Sequence, residues 1–399
     1  MEKVQYINNN PEYGIKYDWN KIRKEYKKLN CPADVYNPFS APITQAKLFV
    51  LMSERNVGKT TNWLLVGMIM AWHYGTVIQY VRQTETMIMP KSTQDLFSTI
   101  LRYEYVSAIT EGEYDTIFYK SRRYYFAKSD DAGRIVDVAP DPFMFCCCVE
   151  KAMDLKSSHN APTGDLILFD EFIGKYYYQN EFVRFCDLAK TIIRGRHSPI
   201  FVFAANTINP HSTYYNELEI YDVVQRLHTG EHDIVTTSKG TKIYVEIIGT
   251  TVEKKRKTSI VNQLFFGFKN PLLASITGED SWAINNYQHI PEIQEDEEQP
   301  EIVSRSLYIY HSNKYVRLDI VQHQTLGICI YAHWATKTHN DSIILTDEMR
   351  FDRRYQYLLG RGKVENFVKK CLYENRIYYA TNDIGAFVEN YVKNICKSA

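Results

Sequence analysis

The chain has no excess of either charge: 47 Lys and Arg balance 47 Asp and Glu over 399 residues. That balance excludes a uniformly basic coat for nucleic acid, although it leaves room for a local basic channel. The eight cysteines, Cys31, Cys146, Cys147, Cys148, Cys186, Cys329, Cys371 and Cys396, include no Cys-x-x-Cys, and no paired histidine spacing accompanies them. This argues against a zinc site. Cys146 to Cys148 fall in an apolar segment and read as a buried strand of reduced thiols, which fits a reducing cytoplasm. Met1 to Asn10 lack an apolar signal core. The apolar run Trp63 to Trp72 is too short to span a bilayer and reads as a buried helix. The expectation is a soluble protein without a membrane partner. With 45% hydrophobic residues, a chain of 399 has material for a sizeable core and suits two domains better than one.

What is present begins with Lys47 to Met52, an apolar run that empties into Ser53-Glu54-Arg55-Asn56-Val57-Gly58-Lys59-Thr60 and then into a helical pattern. This is the layout of a phosphate-binding loop. Backbone N–H groups between strand and helix point at the phosphates, the lysine reaches the terminal ones, and the hydroxyl after it ligates Mg²⁺. The helix N-terminus adds partial positive charge. Gly58 permits close backbone approach, Lys59 supplies the cation and Thr60 the metal contact. Ser53 replaces the first glycine of the consensus, so an ordinary strand-turn-helix connection competes with this reading until the rest of the chain is considered.

Asp165 to Glu171 supplies a second half. A continuous Leu166-Ile167-Leu168-Phe169 run suits a parallel strand buried on both faces, and Asp170-Glu171 emerge where open α/β sheets bind ligands. As a Walker B pair, Asp170 would hold Mg²⁺ and Glu171 would polarise the attacking water. The competing reading is an acidic pair opening a solvated helix or loop. A third apolar strand, Pro199 to Ala205, ends in Asn206-Thr207. Either residue could sense a γ-phosphate, and turn chemistry accounts for them equally well.

Organisation follows composition. Residues 1–45 are polar and Tyr-rich, with a helix expected over Trp19 to Lys28, and form an arm or cover. Residues 46–230 form the nucleotide domain. Within it Thr76 to Val81, Tyr119 to Ala127 and Ile135 to Val138 read as strands, and Phe182 to Arg194 as a helix. Residues 231–300 are a linker region, strand-like over Ile243 to Ile248, with Lys254-Lys255-Arg256-Lys257 and then Glu295-Asp296-Glu297-Glu298 between two prolines. The basic cluster is a solvated helix face or a DNA-phosphate contact. Residues 301–399 read as an antiparallel meander, Leu307 to His311, Tyr315 to Val321 and Leu326 to His333, followed by helix, strand and helix.

The Ser53 to Thr60 loop, the Leu168-Phe169-Asp170-Glu171-Phe172 stretch, and Thr191-Ile192-Ile193-Arg194-Gly195-Arg196 before the Asn206-Thr207 tip together resemble the DNA-packaging ATPases of small tailed phages, encapsidation proteins related to large terminases. The resemblance spans roughly residues 45–220. It implies an α/β fold, with a P-loop ASCE-type parallel-sheet ATPase domain and a smaller C-terminal α+β RNase H-like domain. It also implies ATP as substrate, Mg²⁺ as cofactor, and a homomeric ring, usually a pentamer, at the portal vertex of a procapsid in the host cytoplasm. The partners implied are double-stranded DNA, the procapsid portal protein and, in the closest group, a structural RNA.

Arg55 lies inside the loop, where packaging ATPases commonly carry an arginine. Arg194 is the first choice for a finger reaching a neighbouring subunit's γ-phosphate, and Arg196 the second. The alternative is that both cap the preceding helix. A terminase nuclease needs clustered carboxylates for two metals about 3.5–4 Å apart. Leu307 to His311 carries none, and Asp319, Asp347 and Asp383 are scattered, so the expectation is a nuclease-like layer without nuclease activity. Two other functions stay open: a large terminase that both hydrolyses ATP and cuts DNA, and a non-viral P-loop helicase or NTP-binding module. A helicase needs aromatic stacking positions along one strand; with 31 Tyr and 19 Phe present, aromatics do not discriminate.

Overall fold

Strands buried on both faces need helices packed against them, and the chain meets this need with long apolar runs. A computed structural model describes residues 17–53, 57–157, 163–174, 180–194, 199–206, 210–249, 287, 301–311, 313–323, 326–346, 352–356 and 363–395. They divide into two compact units, one drawn from 17–174, 180–206 and 226–249, the other from 210–225, 287 and 301–395.

The first unit is built on a sheet of ten strands among the described residues: β1 Leu48–Met52, β2 Ile78–Arg82, β3 Thr116–Lys120, β4 Arg123–Ser129, β5 Ile135–Val138, β6 Met144–Cys148, β7 Leu166–Asp170, β8 Ile200–Ala205, β9 His232–Thr236 and β10 Lys242–Ile247. Their order is β3-β4-β6-β2-β7-β8-β1-β10-β9, with β5 on β4. From β6 to β10 every pairing is parallel; antiparallel strands close both edges. β8 lies between β7 and β1, so the acidic strand and the loop strand are separated by one strand. The thiols Cys146, Cys147 and Cys148 are buried on β6, as the apolar run predicts.

Helix α1 (Trp19–Lys28) starts at Asp18, whose carboxylate accepts from the Asn20 and Lys21 amides at 3.0 and 3.1 Å. It buries Ile22 and Tyr26. Helix α2 (Lys59–Tyr74) is apolar nearly all round and buried accordingly. Gly67 lets it lie against the sheet, since a Cβ there would come within 2.5 Å of Ile78 Cγ1. Gly75 ends it in the left-handed conformation. No described helix is long and apolar enough to cross a membrane.

Four readings of the sequence need correction. Tyr119 to Ala127 is not one strand: Ser121 and Arg122 both have positive φ, 52° and 64°, and turn the chain between β3 and β4. The helix expected over Phe182 to Arg194 runs from Glu181 to Ile192. Residues 232–247, within the stretch that composition assigns to a linker, add β9 and β10 to the sheet. Ile22, Tyr26, Leu29 and Tyr36, from the stretch read as an arm or cover, belong to the first core.

The second unit has six strands among the described residues: β11 Glu301–His311, β12 Lys314–His323, β13 Gly327–Ala335, β14 Ile343–Thr346, β15 Tyr355–Gln356 and β16 Ile377–Tyr379, in the order β15-β14-β11-β12-β13-β16. The meander β11-β12-β13 is antiparallel, and β14, β15 and β16 join in parallel. Helices Lys363–Tyr373 and Asn382–Ile395 pack Val368, Cys371, Phe387 and Tyr391 onto Leu307, Leu318 and Ile330.

Candidate active site

Four neighbouring parallel strands, in the order β2-β7-β8-β1, end on the same side and deliver the site. β1 leads through Ser53 into the loop. Of that loop Ser53, Val57, Gly58, Lys59 and Thr60 are described; Glu54, Arg55 and Asn56 lie outside the described residues. Gly58 has φ +86°, and a Cβ there would stand 2.8 Å from the Asn62 amide nitrogen and 3.1 Å from the Val35 Cβ. Only glycine takes that conformation without strain, and it stands at the N-cap of α2.

Lys59 is 4% exposed and donates to Ser53 Oγ and, at 3.0 Å, to Asn206 Oδ1. Burial depresses its pKa to about 8, against the opposing pull of Asp170 and Glu171. Thr60 Oγ1 donates to Asp170 Oδ1 at 2.7 Å. Asn206 Nδ2 donates to Glu171 Oε1 at 3.3 Å. The lysine, the hydroxyl, both acids and the strand-tip amide singled out in the sequence are therefore brought together. A carboxylate and a hydroxyl are both hard oxygen donors, which fits Mg²⁺ chemistry at Thr60 and Asp170.

Two residues of the site carry no motif. Arg82, closing β2, bonds Asp170 Oδ2 at 3.0 Å and Glu171 Oε2 at 2.5 Å, and Tyr80 OH donates to Asp170 Oδ2 at 2.8 Å. Both side chains come from the strand beside β7. The sequence shows an arginine after an apolar strand; which strand lies beside it is not written there.

Other candidates stand apart. Arg194 is exposed just beyond its helix; Arg196, Thr207 and Lys254 to Lys257 lie outside the described residues, as does Asp347. In the second unit, Asp319 is 1% exposed and held by Arg317 and His333, each at 2.9 Å. Asp383 bonds His211 at 2.7 Å. These two acids are engaged with different partners.

Fold and site geometry thus define a P-loop α/β architecture of the ASCE type, with the loop lysine and the acid pair at the C-terminal ends of central parallel strands. No family model matches the chain, and no curated protein matches it. Among solved structures it is similar to the Phi-28 gp11 DNA packaging motor, with TM-score 0.52 and 14% identity, over 91% of this chain and 98% of that one. The bacteriophage Phi-29 viral genome packaging motor assembly gives TM-score 0.47 and 15% identity over 90% and 99%. The large terminase of a thermophilic bacteriophage, in complex with ADP, gives TM-score 0.32 and 9% identity over 94% and 87%. The chain shares the fold of the first.

Proposed function

We propose that the chain is an ATP-driven translocase that packages double-stranded DNA into a viral procapsid. The observation that carries this reading is the convergence of Lys59, Thr60, Asp170, Glu171 and Asn206 at the C-terminal ends of neighbouring parallel strands, on a fold shared along nearly its whole length with a DNA packaging motor.

Chemically, Lys59 and the loop amides neutralise the phosphates, and Thr60 and Asp170 hold Mg²⁺, which would supply charge neutralisation on the phosphoryl oxygens. Glu171 accepts the proton of the attacking water. Asn206, bonded to both Lys59 and Glu171, reports whether a γ-phosphate separates them. Arg82 holds both carboxylates in place. Arg194, with Arg196 as second choice, reaches a neighbouring subunit's phosphate from an exposed position, and Arg55 contacts phosphate from within the loop. Lys254 to Lys257 contact the DNA backbone, where sequence-independent charge suits a motor.

The assembly in this reading is a homomeric ring, five-membered in our proposal, at the portal vertex in the host cytoplasm, contacting the portal protein and a structural RNA. The second unit serves as a nuclease-type layer without cleavage. In support, Asp319 is committed to Arg317 and His333, which disfavours the alternative of a DNA-cutting terminase.

The test is ATP hydrolysis by wild type and Glu171→Gln, each with and without duplex DNA. The variant is expected to bind ATP normally and to lose roughly 10²–10⁴-fold in turnover, the range for removing a general base. Full activity in Glu171→Gln would overturn the assignment.

A further inference from the structure

Helix α1 divides its surface sharply. Its ten residues hold five cations, Lys21, Arg23, Lys24, Lys27 and Lys28, against the single acid Glu25, in a chain whose charges as a whole cancel. At about 100° per residue, the buried Ile22, Tyr26 and Leu29 define one side, and the cations, all exposed, fill the opposite one. Lys28 pairs with Glu25, Arg23 bonds the Phe39 carbonyl, and Lys21 sits 5.9 Å over the Tyr74 ring. The side chains of Lys24 and Lys27 make no hydrogen bond or ion pair with any described residue. The apolar side is already spent on the core, so the helix has no face to insert into a bilayer.

The buried side reaches the phosphate loop. Tyr26 OH donates to Asn62 Oδ1 at 2.7 Å, and Asn62 Nδ2 donates to the Gly58 carbonyl at 2.9 Å. Tyr26 and Asn62 are 5% and 3% exposed, so this chain of bonds is shielded from water. Next to it, the Tyr36 amide donates to the Val57 carbonyl at 2.8 Å. Tyr26 and the exposed Lys27 are adjacent residues of one helix; a shift of α1 moves both.

We propose that the outer face of α1 is a contact for the phosphate backbone of double-stranded DNA, and that the Tyr26–Asn62–Gly58 bonds carry its occupancy to the nucleotide loop. Flexible lysines are point charges that hold backbone without reading bases, and an occupied face biases the turn of α1 that holds Asn62. The DNA partner rests on the translocase reading above.

The experiment uses the full chain and a random-sequence DNA duplex, with an RNA duplex of the same length alongside. Fluorescence anisotropy at several salt concentrations gives affinity and salt slope, and ATP turnover is measured with and without duplex. For Lys24→Gln/Lys27→Gln/Lys28→Gln, DNA affinity should fall roughly tenfold or more, and the salt slope should shrink by about one per lysine removed. The charge-keeping Lys→Arg triple should bind as wild type does, which separates lost charge from lost folding. Tyr26→Phe keeps its ring packing on Phe39; it should bind DNA with wild-type affinity and slope while its turnover no longer responds to DNA. Wild-type affinity and slope in the Gln triple, or tighter binding of the RNA duplex, would overturn the contact. A normal DNA response in Tyr26→Phe would overturn the coupling. A wild type that binds duplex without hydrolysing ATP would sink the translocase reading, and the coupling with it, while leaving the contact standing.

Discussion

Thr60 Oγ1 lies 2.7 Å from Asp170 Oδ1, a hydrogen bond between residues 110 positions apart that joins the start of α2 to the end of β7. In the proposed function this pair is the metal-binding half of the site. Thr60→Val keeps the shape and removes the hydroxyl donor. ATP binding measured in excess chelator should match wild type, whereas added Mg²⁺ should no longer tighten it, and turnover should drop at least about tenfold, the order expected for one charge-assisted contact. Equal Mg²⁺ enhancement in the variant would remove Thr60 from the metal shell.

Arg82 ion-pairs with Asp170 and Glu171 at once. Arg82→Ala leaves the largely buried Asp170 without that counter-charge, at a cost of about 3 kcal/mol, seen as a melting temperature lower by roughly 5–10 °C. Arg82→Lys should recover little, because one ammonium cannot span two carboxylates as a guanidinium does. Bound Mg²⁺ and ATP should narrow the gap between wild type and Arg82→Ala, since they compete for the same oxygens. Calorimetry with and without nucleotide checks each of these outcomes.

Arg194 stands exposed beyond the helix Glu181–Ile192. As a finger acting across subunits, Arg194→Ala should fold and bind ATP normally yet lose about 10³-fold or more in turnover. Mixing it with Lys59→Ala subunits should restore part of the activity, because each supplies what the other lacks. Undiminished turnover of Arg194→Ala alone would assign the residue to helix capping.

His211 is fully buried, shares hydrogen bonds with Tyr221 and Asp383 at 2.7 Å each, and packs on Phe387. Burial holds its pKa below the usual 6.5 even though Asp383 pulls the other way. The unfolded chain therefore binds a proton that the folded unit resists. Stability is fully present above about pH 6.5 and falls as pH drops from there toward the folded value. Asp383, whose pKa is lowered, adds a further loss at more acid pH. Chemical unfolding between pH 5 and pH 8 should show this slope, and His211→Asn should flatten it. An unchanged slope in His211→Asn would place the titrating group elsewhere.

Local pattern alone made much of this molecule legible. Apolar runs located β1, β7 and β8, each buried as a central strand requires, and the helix expected over Trp19 to Lys28 is α1 residue for residue. Lys59, Thr60, Asp170, Glu171 and Asn206 could be named because each ends or follows such a run, and the ends of parallel strands share one side. The Ser121-Arg122 turn went unread because neither residue is the Gly or Asn that usually marks positive φ.

Neighbourhood was decided by tertiary structure. Which strand lies beside β7 depends on crossovers that no local window contains, and so Arg82 and Tyr80 entered the site unannounced. The same holds for His211 and Asp383, 172 residues apart, and for Tyr26 and Asn62, which meet where α1 crosses α2. Periodicity reports which face of an element is apolar; what covers that face is chosen by the packing of all the others together.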